Sequence, residues 1–193
     1  MEVSPEDQLR ADVYRLLARS LSRAPTADQL AELSALKGGA GPFGSAVQTL
    51  ASVAAASSAS TVAAEYQTLF IGLGRGELVP YGSYYLTGFL QEKPLAKLRQ
   101  DMKRLGIKRD AAVSDPEDHI ASELEMMAGL VDGAFGAALP VEQQRAFFES
   151  HIGSWAPVFF RDLERAEASV LYSALGSVGR VFLDIEDAAF AMA

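Results

Sequence analysis

Cysteine is absent from this 193-residue chain, histidine occurs twice and tryptophan once. Without thiols there is no disulfide, no thiolate metal site and no cysteine nucleophile. That absence fits a cytoplasmic protein. No apolar run reaches the roughly 18 residues that a membrane span needs, so stable membrane insertion is not expected. The N-terminal stretch carries Glu6, Asp7, Arg10, Asp12 and Arg15 inside its apolar pattern. It therefore lacks the unbroken apolar core, about 7–15 residues long, of a secretory signal. Basic charge is also scarce: 17 Lys and Arg stand against 25 Asp and Glu, for a net charge of −8. Nucleic acid calls for a basic face on a basic domain, so it is not expected as a partner. Alternating strand patterns and internal repeats are missing too.

What remains reads as helix almost throughout, in one all-α domain over residues 1–193, a length that buries a sizeable core unaided. Ser4-Pro5 followed by Glu6 and Asp7 predicts a capped helix start, and Thr26 with Gln29 predicts a capping box. GGAGPFGS at 38–45 reads as a loop, and the Ala/Ser-rich segment 45–60 as a weakly anchored helix. Glu65 to Ile71 continues as helix until Gly72, Gly74 and Gly76 stop it. Ser83 is expected to cap a short aromatic helix, and Pro94 and Gly106 to bracket another. Ser114 or Asp115 is expected to cap a helix running to about Asp132 with Pro116 in its first turn. Three more helices follow, from Pro140, Trp155 and Ser169. Charge is uneven: residues 92–109 hold seven bases and two acids, whereas fourteen acids and four bases follow from 111 onward.

The residues that could carry chemistry are few. GLGRGE at 72–77 has Glu77 where a dinucleotide loop needs its third glycine, and no strand precedes it. His119 and Glu123 lie at metal-ligand spacing, but a closed site needs three or four ligands. Only His151 is left as another imidazole. Asp118 and His119 are neighbours on a helix and point about 100° apart, which rules out an ordinary acid–base dyad. No metal, no cofactor and no catalysis are expected. A small helical enzyme is disfavoured by the shortage of reactive groups. Tyr66, Leu69 and Phe70 fall at i, i+3 and i+4, ordinarily a core stripe. Tyr81, Tyr84 and Tyr85 follow within a few residues. Buried hydroxyls need partners, so this density suggests a half-wet wall. Trp155 reads as a core anchor. Asp115, Pro116, Glu117 and Asp118 read first as a helix start, but carboxylates there also suit a forked pairing with guanidinium.

Together these two segments resemble the TorD/DmsD family, cytoplasmic chaperones of redox enzymes that bear a molybdenum cofactor. An aromatic-x-x-Leu-Phe motif stands as Tyr66, Leu69 and Phe70, followed by the Gly72, Pro80, Gly82, Ser83 and Tyr84 positions of its loop. A Glu-Pro-x-Asp-His motif stands as Asp115, Pro116, Glu117, Asp118 and His119, with Asp in the first place. Pro94, Leu95, Arg99, Gly106, His151, Trp155 and Pro157 are further echoes, and the basic stretch from Lys93 to Arg109 is usual in the family. The likeness covers about residues 62–187. It implies an all-helical bundle of about eight to ten helices and a groove for a twin-arginine signal peptide on an unfolded or cofactor-free client. The implied peptide-binding set is Tyr66, Leu69, Phe70, Gly72, Pro80, Tyr81, Ser83, Tyr84, Tyr85, Asp115, Pro116, Asp118 and His119. The apolar part of the peptide would meet the rings and its arginines would meet acids such as Asp118. Asp118 and His119 are accordingly expected to be partly exposed. The wording around GELVPYGSYYLTGFL suggests a formate dehydrogenase as client. The alternative is an assembly factor for a non-exported molybdoenzyme subunit, as in nitrate reductase chaperones. Family members occur as monomers and as domain-swapped homodimers.

Overall fold

The structure, a computed structural model, describes residues 3–72, 76–109 and 113–193. It is all-α, and no strand occurs among those residues. Among the described residues ten helices run in chain order: α1 Pro5–Ser22, α2 Ala27–Ser34, α3 Gly41–Ala56, α4 Ala59–Tyr66, α5 Gly82–Thr87, α6 Lys93–Leu105, α7 Ile120–Asp132, α8 Val141–Phe147, α9 Ala156–Glu164 and α10 Val170–Met192. Two of them, α4 and α8, run on into single π-helical turns, Gln67–Ile71 and Phe148–Ile152.

The chain forms two compact units, each assembled from separate stretches. One comprises Met1–Ser22, Pro80–Ala156 and Met192–Ala193, the other Arg23–Val79 and Pro157–Ala191. The first is organised around α7. Ten of its thirteen residues are buried, including Leu124, Met127, Leu130 and Val131, because an apolar helix without a polar face belongs at a centre. Helix α1 lies along it and contributes Tyr14, Leu17 and Leu21, all essentially inaccessible. Arg15 on α1 reaches Asp132 at the far end of α7 at 2.5 Å. Burial alone would raise the Asp132 carboxyl, but the Arg15 hydrogen bond, the Ala134 N–H and the Arg15 charge together outweigh it and leave the group below its ordinary value.

In the second unit α2 packs on α3, and α10 packs on α9 at close range. Phe43 meets Phe182 with ring centroids 6.1 Å apart, and Arg180 forks onto Glu164 at 2.6 and 3.2 Å. Gly176 and Gly179 let α10 approach. A Cβ on Gly176 would collide with the backbone of Glu164 and Leu163, and one on Gly179 with the ring of Phe160. Alanine in place of glycine inside a helix normally gains up to about 1 kcal/mol. Gly176→Ala is instead expected to destabilise by about 1–3 kcal/mol, because backbone cannot step aside as a side chain can. A urea titration reads the sign directly, and a higher midpoint in the variant would contradict this packing.

Several local expectations need correction. The loop at 38–45 ends early, since α3 already starts at Gly41 with Pro42 in its first turn, where proline's fixed φ suits a helix. The Ala/Ser-rich segment is two helices and not one. Ser57 closes α3 with an extended backbone, and Ser58 Oγ caps α4 by accepting from Thr61 N–H at 3.2 Å. The capping box at Thr26 and Gln29 is present as expected. Gly72, with φ of +61°, ends the turn after α4, whereas Leu73, Gly74 and Arg75 lie outside the described residues.

Candidate functional site

Helix α5 has six residues, too few to persist alone, and it is fixed by the chain at 115–120. Tyr81 and His119 form an isolated antiparallel bridge. Beside it, Gly82 N–H donates to the Asp118 carbonyl at 2.8 Å and Ile120 N–H to the Pro80 carbonyl at 2.9 Å. Side chains repeat the tie. Ser83 N–H donates to Asp118 Oδ2 at 2.8 Å, and Tyr81 O–H donates to Asp115 Oδ1 at 2.7 Å. The Tyr81 ring sits edge-on to His119 at 5.1 Å. The two motif segments of this unit, one around Pro80–Tyr85 and one around Asp115–His119, are thus joined.

The roles within them differ from those expected. Ser83 does not cap α5: Tyr81 holds that position, and Ser83 lies in the first turn with its hydroxyl buried. Neither Ser114 nor Asp115 caps α7, and Pro116 is not in its first turn. His119 is the cap, with Nδ1 accepting from Ala121 N–H at 3.1 Å. Residues 116–119 form a turn upstream, closed by His119 N–H on the Pro116 carbonyl at 3.1 Å. The sequence signal was misplaced because Asp-Pro is a strong helix opener and histidine a weak one. Nor are Asp118 and His119 partly exposed, at 1% and 6%. Asp118 is spent on α5, so an incoming arginine does not find it at the surface.

Beneath α5 lies a second layer that the sequence did not disclose. Glu123, fully enclosed on α7, accepts from Trp155 Nε1 at 2.9 Å, and the same indole N–H points at the His151 carbonyl at 2.6 Å. Burial pushes the Glu123 carboxyl well above the usual carboxylate range, against the opposing pull of the Trp155 hydrogen bond. Gly82 rests on this pair: a Cβ there would lie 3.0 Å from Trp155 Nε1 and 3.4 Å from Glu123 Oε1. Tyr85 stacks obliquely on Trp155 at 5.4 Å. Trp155 is the core anchor its sequence position suggested. His119 and Glu123, read as a pair at metal-ligand spacing, are each engaged elsewhere. Ser83 Oγ and Asp118 Oδ1 are buried without a hydrogen-bond partner among the described residues.

What the unit turns outward is a row of half-buried rings, Tyr81, Tyr84 and Tyr85, next to the exposed carboxylate of Asp115, with Pro116 half-buried alongside. Leu86, Phe89 and Leu90 continue the row as exposed apolar side chains. Glu117, the variable position of its motif, is closed off by Arg99, which donates from Nε and a terminal nitrogen at 3.0 and 2.7 Å. Burial alone would raise the Glu117 carboxyl, but the Arg99 hydrogen bonds, a backbone hydrogen bond and the Arg99 and Arg109 charges together hold it below its ordinary value. Eighteen residues separate the two, a distance no helical periodicity reports.

The remaining motif residues, Tyr66, Leu69, Phe70 and Gly72, belong to the second unit. Leu69 is fully buried, and the Tyr66, Phe70 and Tyr172 rings cluster with centroids 5.0–5.9 Å apart. The π-helical turn carries Leu69 and Phe70, and the returning chain pairs with it through Leu78 N–H on the Leu69 carbonyl at 2.8 Å. Ser169 Oγ both donates to Glu65 at 2.5 Å and accepts the N–H of Tyr172 at the start of α10.

An all-helical chain bearing both motifs invites comparison with helical maturation factors. Residues 37–161 match the family model described as nitrate reductase delta subunit, and the chain belongs to that family, which includes the TorD chaperones. The chaperone protein TorD of Vibrio cholerae serotype O1 (strain ATCC 39541) is 29% identical over 129 residues, covering 63% of this chain and 59% of that protein. TorD of Photobacterium profundum is 29% identical over 138 residues, covering 67% and 63%. TorD of Vibrio vulnificus is 25% identical over 181 residues, covering 82% and 83%. The chain thus spans less than two thirds of the length of the first two relatives. A solved structure of a candidate redox enzyme maturation protein from Archaeoglobus fulgidus shares the fold. Its TM-score is 0.58 at 22% identity over 91% of this chain and 93% of that one.

Proposed function

We propose that this protein is a non-enzymatic, cytoplasmic maturation chaperone, residues 1–193 acting as one domain, that binds the twin-arginine signal peptide of a molybdenum-cofactor redox enzyme before export. A formate dehydrogenase is the client we favour. The observation that carries the reading is the outward row of half-buried tyrosines beside the exposed Asp115 carboxylate, on a chain of the TorD family. A twin-arginine leader combines guanidinium groups with an apolar stretch. Asp115 offers the first a forked acceptor, and the rings offer the second apolar faces with wet edges. In this reading Tyr81, Tyr84, Tyr85, Asp115 and Pro116 touch the peptide, while Pro80, Ser83, Asp118 and His119 hold them in place from behind. In the second unit half-buried Tyr66, Phe70 and Gly72 remain candidates for the apolar stretch, whereas fully buried Leu69 serves that unit's core.

Calorimetry with synthetic leaders tests this. A leader with two arginines is expected to bind, and its two-lysine counterpart to bind more weakly, because an ammonium cannot pair bidentately. Asp115→Ala is expected to weaken leader binding about tenfold, the loss of one charge-assisted hydrogen bond. The same change removes the acceptor of Tyr81 O–H, so stability is expected to fall by about 1 kcal/mol, and the affinity is read on the folded variant. Equal binding of both leaders would remove the guanidinium part of the proposal. Client capture that survives deletion of the leader would point to an assembly factor for a non-exported subunit.

A further inference from the structure

The C-terminal end of α6 borders a cavity of about 380 Å³ that plays no part in the reading above. Four cations line it: Arg99, Lys103, Lys108 and Arg109. The single acid in the lining, Glu117, is already neutralised by Arg99. Arg109 is turned to the carbonyls of Val113, Ser114 and Asp115 at 3.1, 3.0 and 3.3 Å and lies 3.9 Å from Glu117, whereas Lys103 and Lys108 make no ion pair with a described residue and are exposed. On a chain of net charge −8, this is a local excess of positive charge. Met102 and Ile107, both buried, also border it.

The backbone here argues against a compact phosphate. Gly106 and Ile107 direct their N–H groups back into α6, to the carbonyls of Lys103 and Met102 at 3.4 and 2.9 Å. Neither of these two amides is therefore free to hold a compact phosphate, which favours a nest of backbone N–H groups. Spread-out lysines flanking an apolar floor instead suit carboxylates separated by an apolar side chain. We propose that this cavity is a docking site for an acidic polypeptide segment in which glutamate or aspartate flanks leucine-like residues.

Fluorescence anisotropy with a short labelled peptide alternating Glu and Leu tests it, with a Gln/Leu peptide as control. The Glu/Leu peptide is expected to bind, more weakly as salt rises, and the control is not. Lys103→Glu/Lys108→Glu should lose at least about tenfold in affinity, on the order of 1.4 kcal/mol. Lys93→Glu/Lys97→Glu, an equal change of charge elsewhere on α6, should retain binding. Similar loss in both double variants, or equal binding of the two peptides, overturns the proposal. Inorganic pyrophosphate binding while the Glu/Leu peptide does not also overturns it, marking a phosphate site. Twin-arginine leader binding by the same variants should be unchanged, which separates this site from the one proposed above.

Discussion

Acidification from about pH 6.5 to pH 4 is expected to destabilise the fold by about 3 kcal/mol through His119 alone. Burial holds this imidazole to a pKa of about 4 against an ordinary 6.5. Its Nδ1 can accept from Ala121 N–H only while unprotonated. As pH falls through 6.5 the unfolded chain takes up a proton that the folded chain refuses until about pH 4. Stability is therefore complete above the unfolded value and drains away below it, at about 1.4 kcal/mol per pH unit of difference. Glu123 works in the opposite direction: burial raises its carboxyl well above the usual carboxylate range, so as pH falls the folded state takes up this proton before the unfolded chain does, and acid favours it. Denaturant titrations across this range should show His119→Asn, which keeps a capping acceptor, flattening the loss. Glu123→Gln, which keeps an acceptor for Trp155, should steepen it. An acid profile indifferent to both substitutions would contradict the enclosed state of the pair.

Trp155→Ala is expected to cost about 3–5 kcal/mol, the range for removing a buried tryptophan. The indole fills space under Gly82 and against Tyr85, and it satisfies Glu123 Oε2 and the His151 carbonyl together. Trp155→Phe separates the contributions. It keeps most of the volume but leaves two buried acceptors without their donor, at about 1–3 kcal/mol. The second variant should also weaken leader binding beyond what its stability predicts, since α5 rests on this pair. Unfolding curves show the first effect and calorimetry on the folded variant the second. A phenylalanine variant as stable and as competent as the parent would deny the indole N–H its role.

The all-α class, most helix ends and the family were legible from sequence because they are written locally: apolar spacing, Thr26 with Gln29, Pro94 with Gly106, and two short motifs. The errors also came from local rules. Asp115-Pro116 signals a helix start more strongly than His119 does, yet the chain turns once more before α7 begins. Ser83 had the chemistry of a cap, but its neighbour Asp118, thirty-five residues on, supplies the acceptor for its N–H instead. Glu123 with Trp155 and Arg99 with Glu117 are invisible to any window. Each pairs residues far apart, and a lone acid on an apolar helix face gives no hint of whether it is enclosed.

The interleaving of the two units sets the order in which their parts become available during synthesis. The first unit has nearly all its parts once Ala156 has left the ribosome, since only Met192 and Ala193 come later. Residues 23–79 must by then have been translated without α9 and α10, whose glycine-lined contact completes the second unit. A nascent chain stalled before Val170 would thus carry one finished half and one with its apolar stripe bare, a natural substrate for general chaperones and proteases.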